Sequence, residues 1–296
     1  MRKFFTLLLA MTLCTLQFAE AQEGGKKVED QAWKLGGNLS VSLNQASFSN
    51  WASGGENAVG VAAQVNYSAD YKADGHIWNN RLELAYGLND TESIGSRKTN
   101  DKIYLSSTYG REIAKNLYVS GLLTFQTQFA NGYSYDSDAN RTFISTFMAP
   151  GYLTVGAGLT WTPNDWFTTT LTPVTWREVF VLDEELSDAG AYGVDAGERA
   201  FAEAGANWQM EVKRDIMKNV KLYSRLTLFS DYLSKPQNVD VNWEVQLNMT
   251  INKWLSAFVT GNLVYDDNIT ILRSNGTSGP DLQIKETLGI GLSVTL

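Results

Sequence analysis

A single histidine, His76, stands among 296 residues, and that limits the chemistry this chain can do. Serine and aspartate hydrolases use a histidine as general base beside the nucleophile. His76 falls in Ala73-Asp74-Gly75-His76, where a plain turn residue is the simplest reading. The acidic stretch Asp183-Glu184-Glu185, with Asp188, Asp195 and Glu198, reads as a solvated loop or one bridged through divalent cations, not as a catalytic dyad. Asp136, Asp138 and Asn140 have the oxygen-ligand spacing of a calcium loop. The glycine that should follow is Arg141, and the twelfth position is Phe147, not Glu. The expectation is therefore no enzyme and no cofactor.

The remaining charges fall into a pattern. Lys34, Arg81, Glu83, Glu203, Glu211, Arg225, Asp240 and Glu244 occupy alternate positions within short segments, together with Asn38, Gln64, Asn66, Gln126 and Asn248. Apolar residues fill the positions between them. Val239-Asp240-Val241-Asn242-Trp243-Glu244-Val245-Gln246-Leu247-Asn248-Met249-Thr250-Ile251 alternates without an error. A period of two means a strand with one dry face and one wet face. Twelve such strands are predicted, near 33–44, 58–71, 77–88, 101–112, 117–129, 151–162, 166–180, 200–213, 219–231, 239–251, 254–266 and 283–296. Short turns alternate with long loops, and an even count puts both ends of the series on the short-turn side. Pro173, inside a run of threonines, predicts a bulge and leaves the inward face of that strand ambiguous.

The fold class this predicts is all-β: a transmembrane antiparallel up-and-down barrel over residues 33–296, with lipid outside and polar side chains inside. Trp33, Trp78, Trp161, Trp166, Trp208 and Trp254 fall at or towards the short-turn ends, as an interfacial girdle would. Arg2 and Lys3, the apolar run Phe4–Phe18 and Ala19-Glu20-Ala21 form a cleavable signal peptide over 1–21, leaving 22–32 as a short periplasmic segment. Leu13 before Cys14 argues against lipidation. Cleavage leaves 22 basic and 31 acidic residues and no cysteine, hence a net charge of −9 and no disulfide framework. An acidic chain without a basic cluster is a poor match for nucleic acid. The mean hydropathy of −0.21 is reconciled with a membrane because only alternate residues need be apolar.

Three stretches carry a family resemblance: Asn50-Trp51-Ala52-Ser53-Gly54-Gly55-Glu56-Asn57, Trp78-Asn79-Asn80-Arg81-Leu82 with Tyr86-Gly87, and the final Gly291-Leu292-Ser293-Val294-Thr295-Leu296. Together they resemble a Bacteroidota outer-membrane barrel family known only as domain of unknown function 3078. The resemblance implies fold and location, not an activity. The Trp51-Gly54-Gly55 loop reads either as a turn folding the first outer loop inward or as a plain turn at the barrel mouth. The final strand resembles the signal read by the outer-membrane assembly machinery, which, with the surrounding lipid and lipopolysaccharide, is the expected partner.

Small residues expected on the wet face, such as Gly36, Ser40, Gly60, Ala62, Gly156, Gly158, Gly289 and Gly291, should leave room for a narrow passage for small polar solutes. Against this, Phe143, Ile144, Phe147 and Met148 in the loop 130–150 could fold in as a plug or extend the flanking strands. The alternatives are a non-conducting structural or interaction barrel and an outer-leaflet lipid-modifying enzyme.

Overall fold

The computed structural model describes residues 32–47, 57–135, 140–272 and 277–296. The proposed signal peptide, the Trp51-Gly54-Gly55 loop, and Asp136 and Asp138 of the calcium-type spacing lie outside them. In chain order the elements are β1 (Trp33–Ala46), β2 (Ala58–Ala73), β3 (His76–Thr91), β4 (Gly95–Ala114), β5 (Leu117–Thr127), β6 (Gly132–Tyr135), β7 (Arg141–Ser145), β8 (Gly151–Asn164) and β9 (Phe167–Phe180). They continue as α1 (Glu184–Asp188), β10 (Ala200–Met217), β11 (Val220–Asp231), β12 (Asp240–Thr250), β13 (Leu255–Tyr265), β14 (Ile271–Leu272), β15 (Ser278–Gly279) and β16 (Gln283–Thr295). Among the described residues, twelve strands close into one antiparallel barrel, ordered β1-β16-β13-β12-β11-β10-β9-β8-β5-β4-β3-β2. The pairs β6-β7 and β14-β15 are separate two-stranded ribbons in the long loops.

The packing is inside out. Leu35, Leu123, Val155, Trp176, Leu288 and Leu292 are exposed on the wall, Leu288 by 72%, whereas Glu83, Glu203, Asn207, Arg225 and a set of serines and threonines are buried. A soluble domain arranges these classes the other way round. Closure satisfies the backbone polar groups that hydrocarbon would otherwise leave unpaired.

Turn chemistry sets the register at the short-turn end. Asp74 and Gly75 both take positive φ, the combination a two-residue hairpin needs. Asn116 and Asn219 sit at φ 59° and 65°, each beside a register shift, in the similar turn sequences Ile113-Ala114-Lys115-Asn116 and Ile216-Met217-Lys218-Asn219. Asn164 and Asn252 side chains instead accept two backbone N–H groups each. At the seam, β1 meets β16 through Asn38–Ser42 against Thr295–Gly291, while β1 pairs with β2 along all of Trp33–Ala46. A Cβ on Gly291 would collide with the Val41 carbonyl, so only glycine permits this approach.

Three expectations need correction. The segment 89–100 is mostly strand, since β3 runs to Thr91 and β4 begins at Gly95. The space beside the small residues is largely taken: Asn44 fills the place above Gly60, Phe258 that above Gly289, and Thr172 with Thr175 that above Gly156. The loop 130–150 does not simply prolong the flanking strands. It makes the β6-β7 ribbon, whose Phe143 packs on Ala149, Val181, Leu186 and Val194. Ile144 and Phe147 stay exposed. The acidic stretch folds into this same cap. Asp183 caps α1 by accepting from the Leu186 N–H, and the Tyr192 hydroxyl donates to the Ile144 carbonyl. Burial in the cap pushes the Tyr192 phenol up to about 12.

Candidate functional site in the lumen

The alternation that dries the wall points every second side chain of a strand at the axis. Glu83 on β3 and Arg225 on β11 lie six strands apart in either direction, so they face each other across the full bore. Lys102 on β4 and Glu244 on β12 are opposed in the same way. The four meet. Arg225 Nη1 is 2.8 Å from Glu83 Oε1, and its Nη2 is 2.7 Å from Glu244 Oε2. Lys102 Nζ is 2.6 Å from Glu83 Oε2 and 2.9 Å from Glu244 Oε2. Two cations and two carboxylates neutralise one another, and the Arg225 guanidinium stacks 4.0 Å from the Tyr104 ring. Desolvating four charges is costly, and only such complete pairing compensates.

Two smaller clusters flank this bridge. Nearer the short turns, Arg81 pairs with Glu211. Towards the long loops, Arg177 grips Glu203 through two nitrogens and reaches Asp240, while Asn268 Nδ2 donates to Glu203 Oε1 at 3.0 Å. The amides expected on this face form short chains, Gln64 to Asn66 to Asn38 and Gln246 to Asn248. Below the bridge on the β5-β8-β9 side, Ser120, Thr160 and Thr170 are linked through their hydroxyls beside buried Tyr118, Leu122 and Thr172. That part of the bore is filled.

Seven of the eight charged residues read from sequence thus lie in ion pairs within the bore. Lys34 does not: it is exposed at the short-turn mouth, opposite Asp70. Two cations of these ion pairs were missed. Lys102 is in phase with Tyr104, Ser106 and Thr108, and that phase was its signal. Arg177 was hidden by the bulge. Thr170 and Thr172 point inward, Gly205 and Asn207 pair with Thr175 and Thr172, and the extra residue moves the inward set to Thr175, Arg177 and Val179. The six tryptophans all face outward and are exposed. Trp208 stands farther up the wall than the others, opposite Leu171 and Leu228, and its indole N–H donates to Thr169. His76 contacts the Tyr109 hydroxyl through Nδ1 at 2.7 Å, at the rim.

Two cavities flank the bridge. One, of about 200 Å³, is lined by Tyr104, Gln126, Tyr152, Arg177, Asn207, Arg225, Asp240 and Asp266 among others. The other, of about 110 Å³, is lined by Gln64, Glu83, Lys102, Glu244, Thr260 and Lys285 among others. Asn262 lines both. At the outer rim of the larger one, burial and the Asp240 carboxylate push the Asp266 carboxyl up to about 6. Among the described residues, no group of three or more histidine, cysteine or acidic side chains is placed to hold a metal.

No curated protein matches the chain. Solved structures similar to it include the translocator domain of the autotransporter NalP from Neisseria meningitidis, at 8% identity and a TM-score of 0.38, covering 98% of this chain and 97% of that one. The COG4313 outer membrane channel from Pseudomonas putida F1 is similar at 8% identity and a TM-score of 0.41, covering 93% and 99%. The β domain of the Bordetella autotransporter BrkA is similar at 12% identity and a TM-score of 0.33, covering 89% and 99%. A family model described as "Protein of unknown function (DUF3078)" matches residues 43–133, a span that holds two of the three stretches carrying the sequence resemblance.

Proposed function

We propose that this protein is an outer-membrane barrel whose lumen is a narrow route for small polar solutes, constricted at mid-height by the Glu83-Lys102-Arg225-Glu244 bridge. The inside-out distribution of apolar and polar side chains supports the membrane setting, since an exterior carrying this many large apolar groups is stable only against acyl chains. The observation that carries the route is that two cavities, each lined mainly by polar residue types, converge on one ion-pair bridge, with Asn262 common to both. A bore evolved only as a solid strut would be closed by packed side chains along its whole length. The route needs no cofactor and no enzymatic step; its surroundings are lipid and lipopolysaccharide, reached by way of the assembly machinery that reads the β16 strand.

Planar-bilayer recording tests this reading. Wild type should show small, discrete conductance, and R225Q should raise it by opening the constriction. Silence from both folded proteins would overturn the route. A second reading, a non-conducting structural or interaction barrel, is favoured by the filled bore beside Tyr118, Leu122, Thr160 and Thr172. It predicts that silence.

A further inference from the structure

The larger cavity is lined by groups of two kinds. Its two cations are already committed, Arg177 to Glu203 and Asp240 and Arg225 to Glu83 and Glu244, and the carboxylate outside these pairs, Asp266 at the outer rim, accepts from the Asn268 N–H. An anionic solute entering here would have to displace an internal carboxylate from Arg177 or Arg225. Its neutral polar groups are not all committed. Asn207 is 4% exposed, in phase with inward Glu203 and Glu211, and its Nδ2 donates to no protein atom. Asn262 Oδ1, on β13 three strands round the wall from β10, is also buried and accepts from none. Buried amides are nearly always hydrogen-bonded, so an orphan donor and an orphan acceptor bordering one cavity point to an occupant.

The backbone supports this. The bulge at Pro173 falls where β9 meets Asn207, and the Thr172 hydroxyl donates to the Asn207 carbonyl, fixing the residue at the register shift. Bulges concentrate where a side chain must be re-aimed. Tyr152, opposite inward Gln126, adds a ring to the same lining, and Gln209 and Asn242 add two more amides. At about 200 Å³ the space is below the roughly 300–1,000 Å³ of pockets that enclose drug-sized ligands.

We infer that this cavity is a binding site for a neutral polyhydroxylated solute of monosaccharide size. A hydroxyl both donates and accepts, so one sugar ring meets an orphan N–H and an orphan C=O alike. Its C–H face packs on the Tyr152 ring, and its lack of charge leaves the ion pairs intact. The inference rests on the lumen being a solute route and names the class of solute.

The test uses the full barrel folded in detergent with glucose as the probe, mannitol as competitor and sodium glutamate as the charged control, read by equilibrium dialysis. Glucose should bind saturably, with a dissociation constant on the order of 1 mM. Mannitol should compete and glutamate should not. N207A should weaken binding about tenfold or more, the effect of losing one well-placed hydrogen bond. Q209A provides a second variant if N207A fails to fold by circular dichroism. No saturable glucose binding to wild type, or glutamate binding as tightly as glucose, would overturn the site, leaving water as the occupant. Bilayer recording on the same samples separates the two ideas. Conductance without glucose binding leaves the route and removes the site, and glucose binding without conductance does the reverse.

Discussion

The centre of the bore and the cavity beyond it are built from similar residues and handle polarity in opposite ways. At the centre, four full charges reach across the barrel and satisfy one another, holding opposite walls together. In the outer cavity, neutral amides remain with unused hydrogen-bonding capacity. Completely paired charge closes space, because no member can leave without stranding another. Unpaired neutral groups keep space available to an occupant. The contrast separates a brace from a receptacle within a single lumen.

The strongest way to break that contrast is R225Q. It leaves Glu83 and Glu244 sharing Lys102 alone, and breaking a buried pair from one side costs about 3–5 kcal/mol. Denaturant unfolding in detergent should show that loss; an unchanged midpoint would mean the bridge is a spectator. The double variant E83M/R225M sharpens the comparison with a smaller effect. It removes one charge of each sign, leaves Lys102 with Glu244, and should recover most of the stability, because apolar replacement of a buried pair is often neutral or better. Recovery below half would mean that Tyr104 stacking, not pairing, holds the brace. E203Q should matter less still, since Arg177 keeps Asp240. One negative charge fewer should move the bilayer reversal potential towards anions, and an unmoved value would place Glu203 away from the solute path.

The smallest effect concerns pH. The Asp266 carboxyl is raised to about 6, so it is neutral below that pH and ionised above it. Cation preference in bilayers should therefore grow as pH rises through about 6, and D266N should flatten the profile. Stability runs the opposite way: a raised carboxyl binds its proton more tightly in the folded barrel, so stability falls as pH climbs from the ordinary carboxylate range to about 6.

Most of the fold was legible because an apolar outer face and a polar inner face impose a strict period of two. Val239–Ile251 states it outright, and the structure forms β12 there. Legibility ended where that asymmetry ends. Ser96-Arg97-Lys98-Thr99-Asn100 is strand without any alternation, since a strand with polar surroundings on both faces needs no dry face. Lys102 stands at the second position of the strand expected over 101–112, although its phase places it inward. Arg177 was unreadable for a different reason. One extra residue at Pro173 inverts the parity of everything after it, and which residue is extra is a three-dimensional fact. The cap of Val181, Leu186 and Val194 assembles from loops with no period at all.

The half-zipped seam has a mechanical corollary. Beyond Ser42, β1 remains tied to β2 as far as Ala46 but no longer to β16, whose Ile284–Ile290 is held by β13. The wall is thinnest in hydrogen bonds there, so amide deuteration should begin at Leu43–Ala46 and spread downward like a tear from a notch. Gly291, wedged beneath the Val41 carbonyl, is the stitch at which that tear would stop.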